Sequence, residues 1–244
     1  YYSARLMQLP LSIFGISFAN VLFPIMSKAV LDKDIQTFKD SLNYTLRMTN
    51  FTLFPASIGL MSIGLPLIKI LFEHGNFTNM ASVMTNQALF YYALGIPAFA
   101  GSKLLTNAFY SLHDTKIPIR IAIISMLLHI ALCYFLINIM GIKGLALSTS
   151  ISSYLNLIFL ILYLKIKIGK LGLYKIIISA SKSLFASIIS GFIAWYTIKI
   201  KLLMNTSFIL TVILSIILSF ITFMSISLII QNEELKNIVK YFHK

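Results

Sequence analysis

The sequence predicts an all-α integral membrane protein, a polytopic bundle of seven transmembrane helices. Hydrophobic residues make up 58% of the 244 residues, charged residues only 11%, and the mean hydropathy is +0.89. Soluble domains carry about 25% charged residues and about 45–50% apolar ones. The apolar residues also gather in long stretches separated by short basic connections, which is the pattern of repeated membrane crossings.

Each predicted span is a mostly apolar stretch close to the ~20 residues that cross the hydrocarbon core of a bilayer. Averaged hydropathy fixes the number of such stretches better than it fixes their ends. The predicted spans are residues 1–26, 46–72, 83–112, 117–140, 145–166, 176–198 and 208–230.

The orientation follows from the lysines and arginines in the connections, because basic connections stay in the cytoplasm. The first, third and fifth connections and the C-terminal tail are rich in these residues, whereas the second has none and the fourth has only Lys143. The sixth connection carries Lys199 and Lys201, which weakens this asymmetry without reversing it. A cytoplasmic C-terminus is therefore predicted, with the first span entering from the outer side.

Prolines and glycines suggest a division of the chain. They are frequent in the first four spans, as expected of bent helices that pack closely and change shape, whereas the last two spans contain no proline and only Gly191. We therefore predict a lobe of five spans at residues 1–170 and an extra helix pair at residues 171–231. The tail, residues 232–244, has the apolar and basic faces of a short helix lying in the cytoplasmic interface.

Charge and motifs exclude several classes of function. The net charge is +13, but the basic residues are dispersed between spans, so no nucleic-acid partner is predicted. Contact with anionic membrane lipids accounts for much of the excess. Motifs for metal hydrolysis, phosphate-loop or serine-triad chemistry are missing from the sequence, so neither an enzyme nor a cofactor is predicted. The single cysteine says nothing about the redox compartment.

The first span carries an unusual polar stripe. Arg5, Gln8 and Ser12 fall on one face of a helix, and an arginine within an apolar helix costs at least about 2.5–3.5 kcal/mol. Pro10 cannot donate a hydrogen bond to the carbonyl of Leu6, so a bend is expected one turn away. We predict that this face lines a cavity that receives an anion.

A second buried cation is predicted in the third span. Lys103 lies too deep to reach the interface completely, and Asn107 follows one helical turn later. No acidic residue lies within any predicted span to form an ion pair with Lys103, although a partner outside this chain could supply one. Lys103 and Asn107 are therefore added to the predicted anion cavity.

His129, Cys133 and Thr149 form a weaker constellation. His129 and Cys133 share one face of the fourth span, and Thr149 lies in the next span. The residue types allow zinc, but two ligands do not make a zinc site. A polar packing contact is the competing interpretation.

Four stretches resemble the bacterial lipid II flippase family (MurJ, also called MviN) in order and spacing. They are Tyr1-Tyr2-x-x-Arg5-Leu6-x-x-x-Pro10 with Phe14-Gly15-Ile16, residues 71–78 (LFEHGNFT), Lys103 followed by residues 109–122 (FYSLHDTKIPIRIA), and residues 141–150 (GIKGLALSTS). Each stretch alone is weak. The ordered set distinguishes this family from drug and polysaccharide exporters of the same superfamily, and it covers roughly residues 1–165.

The resemblance implies a fourteen-helix protein of which this chain holds helices eight to fourteen. It also implies a cationic cavity for the pyrophosphate and sugar headgroup of lipid II, with the extra helix pair forming a groove for the polyprenyl tail. Arg5 matches an important arginine of the family's eighth helix, and Lys103 matches a basic position of the tenth. The chain begins inside a span without an initiator methionine, so the N-terminal half of the same protein is expected to be a missing partner.

The resemblance also bears on energy coupling. Family members often have Asn or Asp where His129 and Cys133 stand, and these positions with that of Thr149 are candidates for a sodium site. Sodium prefers oxygen ligands, so imidazole and thiol are poor substitutes. Coupling to sodium or to the membrane potential therefore has no support from these residues.

The function predicted is translocation of lipid II across the bacterial inner membrane by alternating access, with lipid II and membrane lipids as partners. Two alternatives remain open. One is an exporter of another polyprenyl-linked glycan or of drugs, and the other is a truncated, non-functional relic. Cationic drugs would be repelled by Arg5 and Lys103.

Overall fold

The computed structural model describes residues 1–203 and 208–235, which form helices and their connections. The elements are α1 (Tyr2–Pro10), a π-helical segment (Leu11–Ile16), α2 (Ser17–Leu31), α3 (Ile35–Phe72), α4 (Asn79–Ser111), α5 (Lys116–Met140), α6 (Ile142–Ile168), α7 (Leu173–Leu203) and α8 (Phe208–Ile229). The first three elements form one rod of 30 residues. Within these described residues, seven helices are long and apolar enough to cross a membrane, which confirms the predicted number.

Helix α3 differs most from its predicted span. It begins at Ile35, well before the predicted start at residue 46, and runs for 38 residues. Asp34 caps its first turn by accepting a hydrogen bond of 3.0 Å from the backbone N–H of Thr37. The extension is amphipathic, since Phe38 and Leu42 are buried while Gln36 and Asp40 are exposed. Averaged hydropathy misses such a helix because its polar and apolar faces cancel.

Helix α4 lies at the centre of the bundle. It packs against the rod formed by α1 and α2, against α3 and against α6. Of the residues in its most apolar stretch, 67% are buried. The largest core cluster lies where α2 ends and α3 begins, and it includes Met26, Phe38, Leu104, Phe109 and Leu164. We call this end of the bundle the basic end, because the connections 32–34, 112–115 and 169–172 and their flanking lysines lie there.

Small polar side chains hold α4 close to its neighbours. Ser57 Oγ of α3 donates to the carbonyl of Ala93 at 2.6 Å, and Ser150 Oγ of α6 donates to the carbonyl of Tyr91 at 2.6 Å. Without water, these hydroxyls find partners in the backbone of the adjacent helix, and their small size permits close approach. The interfaces of α4 with α3 and α6 are therefore close and include polar contacts as well as apolar ones.

Gly95 of α4 marks a close approach to α6. A Cβ added there would lie 2.6 Å from Ser150 Oγ and 3.0 Å from Ser150 Cα. Since a backbone atom cannot yield, we expect Gly95→Ala to lower the free energy of unfolding by about 1–3 kcal/mol. Gly59→Ala in α3 is the matched control, because no atom outside its own turn of helix lies within 4 Å of a Cβ added there. Titration with a denaturing detergent measures the free energy of unfolding of both variants. Equal decreases in the two variants would contradict the close contact at Gly95.

The C-terminal segment is fastened to α3 by an ion pair. Arg47 Nε lies 2.6 Å from Glu234 Oε1, and Arg47 Nη2 lies 2.5 Å from Glu233 Oε2. The side chain of Glu234 is only 1% exposed. The segment is also joined to α7, since Asn232 Nδ2 donates to Ser183 Oγ at 3.3 Å. Of the predicted tail helix at residues 232–244, the part from residue 236 onward lies outside the described residues.

Two carboxyl groups outside the spans are held ionised by basic partners. Arg47 lowers the pKa of Glu233 below its ordinary 4.5, and the hydrogen bond from Lys167 lowers the pKa of Asp114 below its ordinary 3.8. Folding therefore favours the charged carboxylates. Their contribution to stability is complete above those ordinary values and is lost as the pH falls through the lowered ones.

We accordingly expect the melting temperature of the purified protein to fall as the pH is lowered from about 5 to about 3. The fall should be smaller for a Glu233→Gln/Asp114→Asn variant, whose side chains cannot ionise. Asparagine at residue 114 can still accept the hydrogen bond from the backbone N–H of Ile117. An identical fall in both proteins would assign the acid sensitivity to other groups.

Candidate functional site

The start of the first rod is fixed in place by aromatic and polar contacts. The ring of Tyr2 packs 4.7 Å from that of Phe72 and 5.2 Å from that of Phe77, measured between centroids. Ser3 Oγ donates to the carbonyl of Thr85 at 3.1 Å, and Leu6 is buried at 2% exposure. With one face of α1 held against α3 and α4, the opposite face is left open.

The open face carries the predicted polar stripe. Arg5, Gln8 and Ser12 are all exposed, so the structure brings these three predicted residues to one surface. Arg5 Nε donates to the hydroxyl of Tyr1 at 3.1 Å, and its guanidinium carbon lies 5.0 Å from the centroid of that ring. The two terminal NH₂ groups of the guanidinium remain available as hydrogen-bond donors, and their planar geometry matches two oxygens of a phosphate. No carboxylate among the described residues lies within ion-pair distance of Arg5.

Pro10 leads into the π-helical segment instead of a simple bend. Proline lacks the N–H that an α-helix would use, and wider i→i+5 turns are one way in which a helix absorbs this defect. Ser12 Oγ donates to the carbonyl of Gln8 at 2.7 Å, so its proton is already committed within the rod. The same segment approaches α4 closely, since a Cβ on Gly15 would lie 2.8 Å from Ala100 Cβ.

Lys103 and Asn107, predicted to act together, have different surroundings. Lys103 is exposed, as a cavity ligand must be. Asn107 is buried at 8% exposure, and its Nδ2 donates to the carbonyl of Ala19 at 3.0 Å. In this conformation the side-chain amide of Asn107 therefore joins α4 to α2, and little of the residue is exposed. A helical spacing of four residues could not reveal that α2 covers one of the two positions.

Two contacts set the relative heights of Arg5 and Lys103. Gly15 lies beside Ala100 and Ala19 beside Asn107, so α4 runs parallel to the rod and Lys103 is level with about residue 17. Arg5 precedes that level by about a dozen residues, which is roughly 18 Å along the axis. The two cations therefore lie at different depths of the bundle, with Lys103 nearer the basic end.

His129 and Cys133 do meet, but their partners in α6 are two serines. Cys133 Sγ lies 3.5 Å from His129 Nε2 and 3.0 Å from Ser148 Oγ, and Ser152 Oγ lies 3.3 Å from His129 Nδ1. The Thr149 hydroxyl instead donates to the carbonyl of Leu145 at 2.8 Å, within its own helix. Ser148 and Ser152 are spaced i, i+4 like His129 and Cys133, and this shared spacing is the signal that could have identified them.

The cluster has the chemistry of a polar packing contact. Its members are hydroxyls, one thiol and one imidazole, which satisfy each other between α5 and α6. Within residues 1–203 and 208–235, no group of three His, Cys, Asp or Glu side chains is placed to hold a metal ion. Sodium would need oxygen ligands, and among the four side chains of the cluster only the two serine hydroxyls offer them.

Comparisons with known proteins give the family. Residues 1–219 match the family model described as lipid II flippase MurJ. The chain is 36% identical over 157 residues to a probable lipid II flippase MurJ of Vibrio cholerae serotype O1, covering 64% of this chain and 30% of that protein. It is 37% identical over 166 residues to the probable lipid II flippase MurJ of Buchnera aphidicola subsp. Schizaphis graminum, covering 68% and 32%.

A solved structure agrees with the sequence relatives. The fold matches that of a lipid II flippase MurJ in an inward closed conformation, with a TM-score of 0.71 and 26% identity, over 91% of this chain and 45% of that one. The chain spans about a third of the length of the curated relatives that it matches. The shared helices and the matched residues together show that this chain, a multi-pass membrane protein, belongs to the MurJ family of lipid II flippases.

Proposed function

We propose that the protein containing this chain flips lipid II across the bacterial inner membrane by alternating access. The observation that carries the proposal is the exposed face of α1, where Arg5 presents a guanidinium that no described carboxylate neutralises. An unpaired cation in a membrane helix is stable only beside water or an anion. The names of the relatives supply the class of substrate.

The physical task explains why such a face is needed. A pyrophosphate headgroup cannot enter hydrocarbon unless water and cations replace its hydration shell. Arg5 would bind phosphate oxygens through two parallel hydrogen bonds, and Gln8 beside it would bind a neutral polar group such as a sugar hydroxyl. Ser12, whose proton is donated to Gln8, can only accept a hydrogen bond there.

The different depths of Arg5 and Lys103 suggest that they act in sequence. A headgroup entering from the basic end meets Lys103 first and Arg5 about 18 Å later. Lysine is a compact point charge that holds an anion without fixed geometry, whereas arginine holds it bidentately. Asn107 then has a positioning role, because it keeps the helix of Lys103 against α2.

The remaining parts of the proposal follow from the sequence. The basic end faces the cytoplasm, the C-terminus is cytoplasmic, and residues 171–231 form the extra helix pair beside the lobe at 1–170. The opposite wall of the cavity belongs to the N-terminal half of the same protein. No catalytic step, cofactor or sodium site is proposed, and the His129 cluster holds α5 against α6.

The experiment is complementation of cells depleted of their own lipid II flippase, using the full-length gene that contains this chain. Growth and continued peptidoglycan synthesis are the expected result. Failure of a well-expressed protein would contradict lipid II flipping. Protection of cysteines introduced on the Arg5 face by another polyprenyl-linked glycan would favour that exporter function instead. A stop codon immediately upstream of the codon for Tyr1 would support the truncated relic.

A further inference from the structure

A cavity of about 320 Å³ lies at the basic end, remote from the Arg5 face. It is formed by the amphipathic start of α3, the connection 169–172 and the first turn of α7. The residues that line it are Gln36, Lys39, Asp40, Asn43, Tyr44, Arg47, Lys170, Leu171, Gly172 and Lys175. We call it the basic pocket.

The shape of the basic pocket is fixed by side-chain-to-backbone hydrogen bonds and by two glycines in the connection. Asn43 Nδ2 lies 3.1 Å from the carbonyl of Leu171 and 3.2 Å from that of Gly172, so it holds the connection against α3. Gly169 and Gly172 have φ values of +81° and +66°, which let the connection turn back between α6 and α7. Specific contacts between α3 and the connection therefore define the pocket.

Its charge is unbalanced. Lys39, Lys170 and Lys175 line it with Asp40 as the opposing acid, and no carboxylate of the described chain lies within 4.0 Å of these three ammonium groups. Arg47 faces two carboxylates, those of Glu233 and Glu234, and Lys175 also attracts the charge of Glu233. The four basic side chains that line the pocket therefore outnumber Asp40 and these two acids by one.

The first turn of α7 adds to this imbalance. Lys175 lies in that turn, which contains no acidic residue, at the positive end of the helix dipole. A cation at this position raises the potential further, so the arrangement favours a bound anion.

Two features indicate that the anion belongs to a lipid. Tyr44, which lines the pocket, and Tyr174, which directly precedes Lys175, are 48% and 77% exposed, as aromatic side chains are at the level of lipid headgroups. Tyr44 also lines an adjoining apolar groove of about 270 Å³ between α2 and α3, where Phe18, Leu22 and Met48 lie. A headgroup in the basic pocket and an acyl chain in the groove fit one molecule.

We propose that the basic pocket binds the phosphate headgroup of an anionic phospholipid of the cytoplasmic leaflet. In the orientation proposed above, the pocket opens at the leaflet where negative surface potential attracts clustered lysines. The single negative charge of the bound phosphate is shared among the three lysines, and the lipid joins α3 to the start of α7. This site is separate from the substrate cavity and does not depend on lipid II flipping.

Native mass spectrometry of the full-length protein in detergent tests the proposal, with phosphatidylglycerol and phosphatidylcholine as probes and no lipid II present. We expect selective retention of phosphatidylglycerol. In a Lys39→Gln/Lys170→Gln/Lys175→Gln variant, its affinity should fall at least about tenfold. The matched control is Lys33→Gln/Lys116→Gln/Lys165→Gln, which removes three exposed lysines from the same end outside the pocket, and it should retain the lipid.

Three results would overturn the proposal: equal retention of phosphatidylcholine, equal loss in both triple variants, or displacement of phosphatidylglycerol by inorganic phosphate at an equal concentration. The last result would mean that the pocket recognises a free anion. An Arg5→Ala variant should still retain phosphatidylglycerol, so a failure of the flippase proposal and a failure of the lipid site give different readouts.

Discussion

Replacing Arg5 with alanine is expected to abolish the ability of the full-length protein to support growth of cells depleted of lipid II flippase. Each charge-assisted hydrogen bond contributes about 1.5–3 kcal/mol, so losing the guanidinium should weaken headgroup binding by at least about 10- to 100-fold. Arg5→Lys should restore activity only in part, because an ammonium cannot make two parallel hydrogen bonds to one phosphate. Colony formation and lipid II accumulation in the inner leaflet measure the effect.

Arg120→Ala is the matched control for this experiment. Arg120 is also an exposed arginine on a membrane-length helix, but it lies near the start of α5 at the basic end, away from the polar stripe. It should leave growth unchanged at equal protein abundance in the membrane. Undiminished growth with Arg5→Ala would remove Arg5 from the substrate site and with it the main support for the proposed mechanism.

The second large effect is expected for stability, at Arg47. Arg47→Met leaves the carboxylate of Glu234, only 1% exposed, without its partner. Removing one member of a buried ion pair costs about 3–5 kcal/mol, since the remaining charge is neither hydrated nor paired. The free energy of unfolding in denaturing detergent should fall by about that amount, and the C-terminal segment should become accessible to protease.

The double variant Arg47→Met/Glu234→Met separates an ion pair from simple packing. It removes the buried charge together with its partner, so most of the lost stability should return, while Glu233 stays hydrated at 71% exposure. Lys167→Met at the more exposed pair with Asp114 is the control and should cost less than about 1 kcal/mol. A double variant no more stable than Arg47→Met would contradict the pairing.

The number of helices was predictable because membrane insertion depends on local hydropathy, which sequence contains directly. The early start of α3 was missed, since the polar residues around Phe38 and Leu42 hide an amphipathic helix from an average. The polar stripe of Arg5, Gln8 and Ser12 was predictable for a similar reason. A helix has one spacing, and three residues at that spacing must share a face.

Residue spacing does not determine which neighbouring helix packs against that face. Asn107 shares a stripe with Lys103, yet α2 covers Asn107 and leaves Lys103 open. Thr149 was chosen as the partner of His129 and Cys133, whereas the rotation of α6 brings Ser148 and Ser152 to them. Both outcomes depend on rotation about the helix axis, which packing of distant helices sets.

The sequence by itself therefore determined the class of protein, the seven spans and the presence of an arginine within the first of them, where a charge is energetically unfavourable. Each of these is a property of neighbouring residues. Only the tertiary structure decided that Arg47 reaches Glu234 across 187 positions of sequence. It alone also decided that Lys39, Lys170 and Lys175 enclose one pocket and that Arg5 and Lys103 stand at different depths. These are relations between separate helices, and packing in three dimensions fixes them through contacts that no local pattern encodes.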